Sequence, residues 1–175
     1  MVESPQVLLQ RLAALEERLG RLEAACHPPD LVCAGSKKSF GGKTKDLSES
    51  MLLLAADVNL QSPSRLVVLA SFNYQAGSRV HLHLGQNVSS DAIKTDFEFR
   101  LARGDKSETF ARSSIKDNLV AQRPITLSGA TLVKETGHAR VELRFSVSES
   151  HEPFDQFVRI TGPQLFVWLV SENGK

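Results

Sequence analysis

From residue 51 onward, apolar and polar residues alternate with a period of two, and that pattern excludes most folds. In DFEFRLA (96–102), Phe97, Phe99 and Leu101 share one parity; in HARVELRFSVS (138–148), Val141, Leu143, Phe145 and Val147 do the same. Successive side chains on a strand point to opposite faces, so each segment offers one face to a core and one to water. Further strand-like runs are MLLLAADVNL (51–60), RLVVLASFNY (65–74), RVHLHL (79–84), ITL (125–127), ATLV (130–133), FVRI (157–160) and QLFVWLV (164–170). Turn-forming QSPS, QAGS, SG, ETG and TGP separate most of them. Nothing in 51–175 reads as a long helix. Roughly nine short strands predict a mainly β fold, an antiparallel β-sandwich or jelly roll.

Two of the runs break the alternation. MLLLAAD and QLFVWLV are apolar at nearly every position, as strands buried on both faces are. The expectation is that they lie side by side in one sheet, with its outer face against neighbouring subunits and Phe166 and Trp168 near a symmetry axis.

Residues 1–27 have a different period. Leu8, Leu12, Leu15, Leu19, Leu22 and Cys26 are spaced alternately by four and three, the a/d seam of a coiled coil. With Leu8 at d, Arg11 and Arg18 fall at g, while Glu16 and Glu23 fall at e, five positions on and opposite in charge. Ser4-Pro5 suits a helix start and Pro28-Pro29 a stop. A helix packed on its own domain would carry a wider apolar stripe, without charge at e and g. The reading is therefore an oligomerisation helix, short enough to need help from the domain that follows.

Residues 28–50 lose all periodicity and read as a flexible basic linker, with Lys37, Lys38, Lys43 and Lys45 around Gly41-Gly42. The stretch GSKKSFGGKT is two residues too long for a phosphate loop, and neither a strand before it nor a helix after it is expected. The expected order is thus coiled coil (1–27), linker (28–50) and β head (51–175).

A net charge of +1 gives no global attraction to nucleic acid or to an anionic membrane. No apolar run reaches the length of a membrane helix, and none resembles a secretory signal. The expected location is intracellular or within a virus or phage particle. The two cysteines, Cys26 and Cys33, are either free thiols in a reducing compartment or a ring of interchain disulfides at the base of the stalk.

Candidate chemistry is thin. His81 and His83 alternate on a strand and could share a metal, with His138 as a third ligand. No acid follows at cupin-like spacing, so the expectation is no metal and no cofactor. No nucleophile elbow or carboxylate pair occurs, and the chain is expected not to be an enzyme. Arg103-Gly104-Asp105 spells an integrin-type tripeptide and is also ordinary turn chemistry. Asn87-Val88-Ser89 has the form of a glycosylation acceptor. Loops 85–96 and 102–124, long and polar, are the expected recognition surfaces.

The segments RLAALE (11–16) and RLGRLE (18–23) resemble the short motif of trimeric coiled coils. A trimeric coil leading into a β-sandwich resembles the fibre heads of phages and viruses and the TNF-like and complement-type globular trimers. That resemblance implies a non-enzymatic homotrimer. Its partners would be itself and a cell-surface protein or glycan, or else the trimer would be a structural scaffold with no separate ligand.

Overall fold

The computed structural model describes residues 30–60, 63–78, 92–117, 121–149 and 156–171. The leucine seam, Cys26, His81, His83 and Asn87-Val88-Ser89 lie outside the described residues. Nine strands occupy nearly all of the rest: β1 (Asp30–Gly35), β2 (Ser39–Lys43), β3 (Met51–Leu60), β4 (Ser64–Ser78), β5 (Ile93–Arg103), β6 (Lys106–Asp117), β7 (Arg123–Val133), β8 (Gly137–Glu149) and β9 (Gln156–Ser171).

They form two antiparallel sheets. Sheet A has the order β1-β9-β4-β7, with β2 also paired to β9, so β1 and β2 share one edge position. Sheet B has the order β3-β8-β5-β6. From β2 to β9 every connection crosses between the sheets except the β5–β6 hairpin. This is a jelly-roll sandwich.

Alternation builds the core. On β4, Leu66, Val68, Ala70, Phe72 and Tyr74 point inward, as do Phe97 and Phe99 on β5 and Val141, Leu143 and Phe145 on β8. Phe97 is the hub: its ring stacks on Phe72 at 5.0 Å and on Phe145 at 6.4 Å, and meets Tyr74 edge-on at 6.3 Å. Such pairs add to what burial alone contributes. Gly129 lets β7 lie against the edge of sheet B, because a Cβ there would stand 2.6 Å from the Ala111 Cβ.

Several boundaries differ from the sequence reading. Residues 30–46 are not linker: they form β1, β2 and a 3-10 turn at Thr44–Asp46. Backbone pairing to β9 supplies the order that their Gly, Ser and Lys content does not. Ser128-Gly129 does not turn; β7 runs through it, since glycine there relieves crowding against Ala111 and Phe99. Thr161-Gly162-Pro163 is a β-bulge inside β9. Ser71 pairs with Gln164 and Asn73 with Thr161, so Gly162 and Pro163 together oppose Phe72. Most of 102–124, expected as a loop, is β6, an edge strand whose outward residues are polar.

MLLLAAD and QLFVWLV are not neighbours: β3 pairs with β8 in sheet B, while β9 lies in the middle of sheet A. A sandwich core needs apolar residues from both sheets, which is why two such runs face each other from opposite layers.

Candidate functional site

The bulge at Gly162, where φ is +58°, decides what β9 shows to the outside. Before it, Val158 and Ile160 point into the core; after it the parity reverses, and Leu165, Val167 and Leu169 point inward. Phe166, Trp168 and Val170 therefore face out. Phe166 and Trp168 stack with ring centroids 6.0 Å apart.

The neighbouring strands continue this surface. Trp168 is in register with Leu31 on β1 and Val67 on β4, and Phe166 with Cys33 and Leu69. Val170 pairs with Arg65, which pairs in turn with Leu132 on β7. The result is a continuous apolar surface across four strands, broken by one arginine. Leu31, Leu132 and Val170 are 52%, 48% and 44% exposed, so the face is wet in the single chain. The outward residues of this part of sheet A are thus apolar and centred on stacked aromatic rings.

The outer face of sheet B carries charge instead. Glu98 binds Arg100 at 2.7 Å and Arg112 at 3.2 Å, and Glu142 binds Arg144 at 3.1 Å and Arg140 at 3.9 Å. Asp96 accepts a hydrogen bond from Ser114. Partial burial pushes the Asp96 carboxyl up, but the Ser114 and Ser148 hydroxyls and the Lys94 and Arg112 charges outweigh it and hold it below its ordinary value.

One end of the sandwich is tied by buried polar groups. Tyr74 in sheet A shares a 2.8 Å hydrogen bond with Thr95 in sheet B, and Arg123 in sheet A binds the buried Asp117 of sheet B at 2.7 Å. Burial pushes the Tyr74 phenol well above its ordinary value, against the Thr95 hydrogen bond. These contacts join the layers, although the buried Arg123 Nε has no hydrogen-bond partner among the described residues. They are structural.

The remaining sequence candidates are dispersed. Arg103 ends β5 and is ion-paired with Glu135, Gly104 has φ +53°, and Asp105 completes the exposed hairpin turn to Lys106. The arginine of the tripeptide is thus engaged within the fold, and Gly104 and Asp105 form the turn between β5 and β6. Cys33 is an exposed free thiol on β1, within the apolar face. His138 is exposed on β8 opposite Asn59. Among the described residues no group of three His, Cys, Asp or Glu side chains could hold a metal. The sequence reading placed Phe166 and Trp168 on an outer face but missed Leu31, Val67, Leu69 and Leu132 as its continuation. Their signal was present as outward-parity apolar residues on a strand, legible only once sheet order is known.

No protein family matches the chain, and no curated protein matches it. Among solved structures, the infectious bursal disease virus VP2 subviral particle is similar over 84% of this chain and 34% of that one, at 13% identity and a TM-score of 0.53. The Gx strain of the same virus is similar over 84% and 33%, at 11% identity and a TM-score of 0.51. The chain spans about a third of the length of these capsid chains. The shared property is the jelly-roll fold. Eiger TNF from S. frugiperda is similar over 76% of this chain and 92% of that one, at 10% identity and a TM-score of 0.37.

Proposed function

We propose that the chain is a non-enzymatic, self-assembling module, a homotrimer in which residues 1–27 register three copies and the jelly-roll heads are presented to a partner. The observation that carries this reading is the apolar outer face of sheet A, centred on Phe166 and Trp168. Leaving such a face in water is costly, and covering it with further copies recovers the burial. Two features support a second copy as the cover. The chain reaches β1 from residues 1–29, whose leucine seam suits parallel association. Its arrival point, Asp30 opposite Leu169 and Leu31 opposite Trp168, lies at the apolar rows themselves. Three heads so joined would turn weak single contacts into avidity.

The jelly roll shared with a virus-particle chain favours a second reading, in which the assembly is itself the product and the heads take no ligand.

Solution mass by light scattering tests both. A value near three times 19.2 kDa is expected for the full chain. A monomer at micromolar concentration overturns self-assembly. Removing residues 1–29 is expected to weaken the trimer, and the single Trp168 reports it, since its emission shifts to the red as the face is wetted on dilution.

A further inference from the structure

Each sheet has two margins, and three of the four are guarded against further pairing. On one side of sheet A the edge is divided between two short strands, β1 and β2. In sheet B, β3 carries Asp57 and a bulge between Leu52 and Leu54, and β6 carries Lys106, Glu108, Arg112 and Lys116. Short pieces, bulges and charge all discourage the addition of another strand. β7 has none of them. From Ile125 to Val133 it holds no charged residue, and its register with β4 is unbroken. Among the described residues it pairs on that one side only.

The last residues of β7 also have space on both faces of the sheet. On the outer face a cavity of about 300 Å³ lies against Arg65, Ala130 and Leu132. On the inner side, beside the β5–β6 hairpin, a second cavity of about 230 Å³ is walled by Leu101, Phe110, Thr131 and Val133.

Arg65 supplies the charge. It lies between Val170 and Leu132 in an outward row, exposed and without an ion pair among the described residues. A strand added beyond β7 would place the residue facing Leu132 two strand spacings, about 10 Å, from Arg65. An arginine and a glutamate side chain close that gap between them. The residues on either side of the glutamate point to the opposite face, toward the cavity of Leu101 and Phe110.

We propose that the β7 margin takes up an extended segment of a partner protein as an additional strand, with an acidic residue facing Arg65 and apolar residues flanking it. Backbone hydrogen bonds to β7 hold the segment, and the two cavities select its side chains. A second copy of β7 does not fit this role, because Arg123–Val133 contains no carboxylate to meet Arg65. The inference rests on the reading of the chain as a binding module and names the chemistry of its partner. It requires β7 to stay open while the rows of Phe166 and Trp168 are covered.

The test selects heptapeptides from a random displayed library on the full chain. The capped synthetic winner is then titrated by fluorescence anisotropy, with the mass of each sample measured by light scattering. Winners are expected to carry an acidic residue between two apolar ones and to bind more weakly as salt rises. Arg65→Glu is expected to weaken the winner at least tenfold, and a peptide with lysine in place of the acid to recover part of the loss on that variant. Methylating alternate backbone nitrogens of the peptide is expected to abolish binding in one phase and spare it in the other, because only alternate N–H groups face β7. Amide exchange is expected to slow at residues 130–133. Binding undiminished by Arg65→Glu, or indifferent to both methylation patterns, overturns the proposal, as does a library that yields no binder. Exchange that slows in β7 when the chain alone is concentrated assigns the margin to a second copy and overturns it too. A trimer that binds no peptide refutes this inference alone, and a monomer that binds one refutes only the assembly.

Discussion

The two outer faces of this sandwich are written in the same period-two code and have opposite fates. On sheet B the outward parity of β5, β6 and β8 is filled by Glu98, Arg100, Arg112, Arg140, Glu142 and Arg144, a ladder in which each glutamate serves two arginines. On sheet A the same parity is filled by Val67, Leu69, Phe166 and Trp168. Both faces leave an equally good core behind them. Alternation fixes which residues are inward, and the chemistry of the outward residues says whether a face is finished by water or by another protein surface.

Substitutions can push that contrast hard. Trp168→Lys, which places a charge at the centre of the apolar face, is expected to convert trimer to monomer, with a loss of about 2 kcal/mol or more per contact, as at a buried aromatic hot spot; sedimentation against concentration reads it. A trimer of unchanged affinity would mean that the face is not the interface. On the opposite face, Glu98→Ala leaves Arg100 and Arg112 unpaired yet is expected to cost only about 1 kcal/mol or less, because the pairs are partly hydrated. Urea denaturation measures this, and the assembly mass should not move.

The interior link between the layers gives a subtler effect. Tyr74 is the chain's one tyrosine, so its absorbance titration is free of overlap. In the unfolded chain it ionises near 10.0; in the folded chain burial raises that value, so the native state holds the proton more tightly. Stability is therefore full below pH 10 and falls as pH rises beyond it. A phenol that titrates normally in the folded protein would contradict the burial. Smallest is Asp96→Asn on the charged face. The folded carboxyl lies below its ordinary 3.8, so its contribution is present above that pH and disappears as pH falls below it. Wild type and variant melting temperatures should differ slightly at neutral pH and converge in acid.

Much of the fold was legible from these residues. The alternating runs 96–102 and 138–148 lie within β5 and β8, and 51–60 is β3 as read. What local pattern could not convey was pairing. The 30–46 segment has no hydrophobic period because β1 and β2 are edge pieces whose order comes from hydrogen bonds to β9. β6 reads as loop because Lys106–Asp117 carries few apolar residues. The two punctuation signals within β7 and β9 were real glycines used for other purposes, close approach at Gly129 and a bulge at Gly162. The apolar face was visible only as two residues of β9, because its other members lie on strands distant in sequence.

The central place of β9 in sheet A has a consequence for biosynthesis. β1 and β4 both pair with β9, which is translated after every other strand described. Until it emerges, the nascent chain lacks Phe166 and Trp168 and holds Leu31 and Val67 on strands with no common neighbour. The apolar surface is thus assembled only once β9 has paired with β1 and β4.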